Sequence, residues 1–142
     1  ISACLVGSEM CIRDRYMTQY HVGDSLIRFK NAAMARHKDL VVINTKYVKA
    51  VFEALKRAGW VREIEEVSAR ELKIHIAYMH KEPVVMNLKL VSSPGLHVYM
   101  NVDELKLRKK STTLILSTPN GVMSSKEAVK SNNAGEVIVE IW

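Results

Sequence analysis

The chain has 142 residues, of which 48% are hydrophobic, enough for one ordinary domain or two small ones and too apolar for global disorder. Lys and Arg number 21 against 15 Asp and Glu, a net charge of +6 that favours a polyanionic partner. The two cysteines, Cys4 and Cys11, exclude a disulfide framework or a zinc ribbon, and no apolar run reaches the roughly 18 residues of a membrane span.

Residues 1–16 stand apart. The run CLVGSEMCIRDR resembles translated adapter read-through, so 1–16 are expected to be a non-native leader and Met17 the start. Arg13 and Arg15 offset Glu9 and Asp14, so the charge without the leader is still +6.

From Gly23 to Arg36 the spacing predicts a helix capped by Asp24, with Leu26, Ile27, Ala33 and Met34 as its apolar face and Arg28, Lys30 and Arg36 outside. A strand is expected at Leu40–Ile43. The clearest helix is 45–58, where Tyr47, Val48, Val51, Phe52, Leu55 and Ala58 follow three-four spacing. Asn44 or Thr45 caps it and Gly59 stops it. Strands are expected at Val61–Val67 and at Glu71–Tyr78, the latter with alternating Leu72, Ile74, Ile76 and Tyr78. After a break at His80–Pro83, a strand through Met86, Leu88 and Leu90 is expected to turn at Ser92–Gly95 and return as Leu96–Met100. Asn101–Lys110 reads as a helical turn and a basic loop, Leu114–Leu116 as a buried strand, and Ser124–Glu127 as a capping box opening a helix to about Ser131. Val137–Trp142 is the last strand. The fold class is therefore α+β: a helix-strand-helix-strand-strand domain at 17–80, and at 81–142 a mainly antiparallel β domain with a short helix, the two packed together.

Catalysis finds little support. No G-x-S-x-G elbow, H-E-x-x-H, P-loop or G-x-G-x-x-G occurs, and His37, His75 and His80 read as surface residues. Glu63, Glu65 and Glu66 read as a solvated edge. No metal or cofactor is expected. Two stretches suit a nucleic acid. Lys106, Arg108, Lys109 and Lys110 form the densest basic cluster, fit either for water or for phosphates. Ser117–Ser124 runs from a buried strand through Pro119-Asn120-Gly121 into a capped helix, a geometry expected to expose N–H groups, hydroxyls and an amide. A plain connecting turn is the alternative.

STPNGVMSSKEA at 117–128, followed by AGEVIVEIW at 134–142, resembles the C-terminal signature of the family of ribosomal protein eight of the small subunit. VSSPGLHVY at 91–99 is similar to that family's V-S-x-P-G-L-R-x-Y, and GDSLIRFKNA at 23–32 to its D-x-L-T-R-I-R-N-A/G, so the resemblance runs in order from Met17 to Trp142. It implies a structural, non-enzymatic protein of the cytoplasmic ribosome that binds the central domain of small-subunit rRNA and supports assembly. The alternative it implies is a repressor acting on its own operon's messenger RNA through the same surface. It further implies neighbouring small-subunit proteins, protein five among them, and no membrane.

Carried over by position, Ser117, Thr118, Gly121 and Met123 are expected against an irregular RNA loop, with Asn120 beside them. Tyr99 is expected near a base or sugar, Gly135 and Glu136 at the family's glycine-glutamate pair, and Arg28, Lys30 and Asn31 on a second stretch of rRNA backbone. The chain departs from the pattern at Pro119 (usually Ser), Asn120 (often Lys), Ser93 and His97 (often Arg), Ile27 (Thr) and Ala134 (Gly).

Overall fold

In a computed structural model, residues 20–108 and 111–142 are described. The expected leader, both cysteines, Lys109 and Lys110 lie outside them. The first helix, α1 (His21–Met34), starts two residues before the expected position, after Tyr20 and without a side-chain cap. Asp24 sits in its first turn and pairs with Arg28 at 3.1 Å. The buried stripe is Val22, Leu26, Phe29 and Ala33, the positions a 3.6-residue period aligns. Ile27 and Met34, expected inside, lie off that stripe at 46% and 61% exposure. Phe29 meets Phe52 of α2 (Lys46–Ala58) edge to face, with ring centroids 5.7 Å apart.

The α2 helix follows its sequence signals. The Thr45 side chain accepts from Val48 N–H at 3.2 Å, and Gly59, at φ 91°, ends the helix. Tyr47, expected on the apolar face, is 43% exposed. Thr45→Ala is expected to cost about 1 kcal/mol, read as a lower urea midpoint. No change would mean that water replaces the cap without loss.

Between the helices lies β1 (Asp39–Ile43), and after α2 come β2 (Val61–Glu66) and β3 (Glu71–Ile76). They form an antiparallel sheet in the order β1-β3-β2, with Leu72, Ile74 and Ile76 buried towards the helices. The third strand ends before Tyr78, which opens a small hairpin of β4 (Tyr78–Met79) and β5 (Glu82–Pro83). His80 and Lys81 make its two-residue turn at φ 51° and 70°, the geometry whose twist suits a tight hairpin. The sequence shows this turn only as a break.

The second sheet contains β6 (Leu88–Leu90), β7 (Tyr99–Met100), β8 (Thr113–Thr118), β9 (Gly121–Ser124) and β10 (Gly135–Ile141). The expected hairpin between β6 and β7 does not form. Both strands run antiparallel to β10, Leu90 opposite Val139 and Tyr99 opposite Glu136, and the intervening residues bulge out as a loop. The final strand is long enough to pair with both, and because each runs antiparallel to it, β6 and β7 point the same way and cannot face each other as an antiparallel hairpin. On its other side β10 pairs with β8, which pairs with β9. Two short helices, α3 (Val102–Leu107) and α4 (Ser125–Lys130), each open with a capping box.

One core passes under both sheets, joining Leu26, Phe52 and Ile74 to Ile115, Val139 and Ile141. A smaller core of Leu105, Leu114, Leu116, Ala128 and Val137 lies beneath α3 and α4. The second sheet is thus covered on both faces, and its free end, where β8 turns into β9 and β10 begins, carries the candidate site.

Candidate nucleic-acid interface

Strand register brings distant sequence together. Tyr99 stands opposite Glu136, Glu136 opposite Ser117, and Ser117 opposite Val122. Directly opposed residues share a sheet face, so these four side chains form one row. Val122 is packed on the large core, Ser117 and Glu136 are half-buried, and Tyr99 ends the row at 69% exposure. Alternation places Leu116, Met123 and Val137 on the opposite face, against the smaller core. Met123 therefore faces away from Tyr99, although the sequence groups it with Ser117.

Close packing holds the row. A Cβ on Gly135 would fall inside contact distance of the Ser117 carbonyl oxygen and 2.9 Å from Thr118 Cγ2. Only glycine lets β10 begin this near to the end of β8. The neighbouring turn is equally demanding. Among Pro119, Asn120 and Gly121, only Gly121 has positive φ, at 113°, and it absorbs the twist that closes the hairpin. The Thr118 hydroxyl donates to the Gly121 carbonyl oxygen at 2.8 Å. Its hydrogen is used inside the turn, and Thr118 is buried; the exposed atoms are those of Pro119, Asn120 and the Gly121 backbone.

The helix that follows is not an open anion site. The strand β9, unforeseen from sequence, separates α4 from the turn. The Glu127 carboxylate accepts from Ser124 N–H at 3.0 Å, and Ser124 Oγ accepts from Glu127 N–H at 3.4 Å. Two of the N–H groups expected to be exposed there, those of Ser124 and Glu127, are satisfied internally.

A loop from Ser92 to His97 flanks the row. Ser92 is buried at its base; its hydroxyl donates to the Val137 carbonyl oxygen at 2.5 Å and accepts from Val98 N–H at 3.1 Å. Its own carbonyl oxygen accepts from the Tyr20 hydroxyl at 2.7 Å, tying the start of α1 to the second sheet. Burial, with smaller contributions from Tyr47 and Glu136, raises the Tyr20 pKa above the ordinary phenol value, so this hydroxyl keeps its proton. His97 Nδ1 lies 2.7 Å from Glu136 Oε1. Thus a residue standing where the family often has arginine still meets the glutamate of the row. Ser92, His97 and Tyr20 are structural partners of the site that sequence reasoning left without a role; Ser92 carried the one visible signal, a small hydroxyl residue beside a Pro-Gly turn. Ser92→Ala is expected to cost about 1.5 kcal/mol, because Val98 N–H and the Val137 carbonyl lose a shared buried partner. A thermal midpoint equal to that of the parent would show that water takes the hydroxyl's place.

The remaining expected residues lie on α1. Lys30 is half-buried, Asn31 is exposed, and the Arg28 guanidinium pairs with Asp24. Their helix packs on β6, at the opposite edge of the sheet from β9. The structure gathers Tyr99, Ser117, Thr118, Asn120, Gly121, Gly135 and Glu136 at one sheet end, and leaves Arg28, Lys30 and Asn31 as a separate patch. Among the described residues, no group of three or more His, Cys, Asp or Glu is placed to hold a metal ion, and no helix is long and apolar enough to cross a membrane.

Comparison with known proteins gives a consistent result. The profile of the family described as ribosomal protein S8 matches residues 21–142. A small ribosomal subunit protein uS8 of Thermosynechococcus vestitus is 36% identical over 127 residues, spanning 85% of this chain and 96% of the relative. The protein of the same name from Caldanaerobacter subterraneus is 38% identical over 126 residues, and that from Enterococcus faecalis 36% over 126, each with the same coverage.

Proposed function

Given that the chain belongs to the ribosomal protein S8 family, a family of structural small-subunit proteins, we propose that it binds the central domain of small-subunit rRNA through the free end of its second sheet and supports assembly there. The observation that carries this reading is the exposed Tyr99 ring at the end of a row continued by Glu136 and Ser117, beside a turn that presents Pro119, Asn120 and the Gly121 backbone. An aromatic face suits an unstacked base, and amide and backbone groups suit base edges and ribose hydroxyls. The role is architectural, in keeping with a family of structural proteins. Arg28, Lys30 and Asn31 serve a second stretch of rRNA backbone, and neighbouring small-subunit proteins, protein five among them, dock on the remaining surface of the protein in the cytoplasmic ribosome.

The test is titration of the purified chain against a transcript of the rRNA central domain at several salt concentrations. The expected result is tight binding that weakens with salt and exceeds binding to an unrelated structured RNA of equal length. Equal affinity for the two RNAs would sink the reading. The same row can serve a message that mimics the rRNA, so competition by the operon transcript belongs in the experiment. A clear preference for the message would make repression the main role.

A further inference from the structure

A groove of about 410 Å³ runs between α3, α4 and β8 on the face of the second sheet opposite the Tyr99 row. Its floor is Leu105, Leu114 and Val129, and its charged rim is Lys106, Arg108, Lys126 and Lys130, with no acidic residue among the described residues that line it. Two of the cations have intramolecular partners, both long: Lys106 lies 3.8 Å from Asp103, and Arg108 lies 3.8 Å from Glu140. Lys126 and Lys130 pair with no acidic group among the described residues. They sit one turn apart on the same face of a six-residue helix, an arrangement in which like charges repel and lower the helix's own stability. A larger groove on the first sheet also has a basic rim, at Arg36, Lys38, Arg62 and Lys81, but Glu63 and Glu65 lie within it and offset that charge. Of the two, the groove between α3 and α4 presents positive charge alone among the described residues.

We infer that this groove is a further RNA surface, a track for the phosphate backbone of a paired RNA segment, distinct from the Tyr99 row and from the Arg28, Lys30 and Asn31 patch. The inference rests on the proposed RNA-binding role for its setting, but on separate residues for its chemistry. Lysines offer point charges without base selectivity, so the track binds paired RNA by its phosphates whatever the sequence. A-form RNA presents such phosphates on both sides of a groove too narrow for side chains to read, which suits contact by a basic rim rather than by an inserted element. The apolar floor keeps the lysine stems packed while their ammonium groups reach outward.

The probe is a perfectly paired RNA duplex of about 16 base pairs, with no internal loop and therefore nothing for the Tyr99 row to recognise. The parent chain and the Lys126→Gln/Lys130→Gln variant are titrated with it between about 50 and about 200 mM salt. The variant is expected to bind more weakly, with the slope of log affinity against log salt reduced by about 2, one for each lysine. Lys126→Arg/Lys130→Arg is expected to restore the parent slope. Should the double glutamine variant lose its helical signal, the single variants carry the test, each with a slope change of about 1. Superimposable titrations of parent and glutamine variant would overturn the inference and assign the groove to another partner, an acidic protein surface among the outcomes. Because the duplex lacks the loop read by the row, a failure here leaves the rRNA central-domain experiment untouched, and the converse holds as well.

Discussion

Gly135→Ala is expected to lower the stability of the protein by about 3 kcal/mol and to weaken the proposed RNA binding with it. The added methyl meets the Ser117 carbonyl oxygen and, at 2.9 Å, Thr118 Cγ2. The first is a backbone atom of a strand paired on both sides, by β9 and by β10, and it cannot retreat as a flexible side chain does. Relief requires β8 and β10 to part at their shared end, and that movement shifts Glu136 against Ser117 and withdraws the pairing partner of Tyr99. Overpacking of this kind costs about 1–3 kcal/mol, and a rigid neighbour places the site at the upper end. Gly95→Ala is the matched control, since a Cβ there meets nothing within 4 Å and the backbone is not at positive φ; it is expected to change stability by less than about 0.5 kcal/mol. Urea midpoints separate the two variants. If Gly135→Ala matched Gly95→Ala, the close approach would not constrain the sheet end.

The same closeness explains what could be read from the sequence and what could not. The α2 helix was legible because its signals are local: Thr45 caps, Gly59 stops, and the buried positions keep one period. In α1 the apolar residues outnumber the places on the core face. Ile27 and Met34 compete for that face in the sequence but lie outside it, whereas Phe29 joins Leu26 and Ala33 on it and Val22 is added because the helix begins at His21. The partner of β7 was illegible for a different reason. A Pro-Gly turn between two apolar runs reads as a hairpin, but both runs pair with β10, far along the chain, and only the tertiary fold decides between a local and a distant partner. At four residues, β9 is too short for periodicity to reveal, so the strand that separates the turn from the helix was not legible, whereas the capping box that closes the helix start on itself was.

For the site the balance differs. Chemistry alone marked Ser117–Ser124 as a ligand-facing turn with a plain connection as its rival. The family resemblance added Tyr99, Gly135 and Glu136, and the strand register supplies the reason these belong together: three segments end at one edge of one sheet. It also sorts them. Gly121 and Gly135 shape the backbone, Thr118 closes the turn, and Met123 supports the opposite face. Tyr99 and Asn120 are left as the side chains most open to a partner.

That sorting makes Tyr99 the decisive substitution for binding. Tyr99→Ala is expected to weaken binding to the rRNA central domain by about 2 kcal/mol, close to thirtyfold, the range measured when a base loses an aromatic stacking partner. The ring is 69% exposed and belongs to neither core, so its removal should leave the urea midpoint within about 0.5 kcal/mol of the parent. Tyr99→Phe keeps the π-face and should bind nearly as the parent does if stacking carries the energy; a loss as large as that of alanine would shift the role to the hydroxyl. The salt slope should be unchanged in both variants, because no phosphate contact is removed. Thr118→Ala is the informative contrast. Its hydroxyl closes the turn on Gly121, so its effect on RNA should come with a loss of stability that Tyr99→Ala does not show. An alanine variant at Tyr99 that binds the rRNA within twofold of the parent would remove the row from the interface and leave the turn alone to carry recognition.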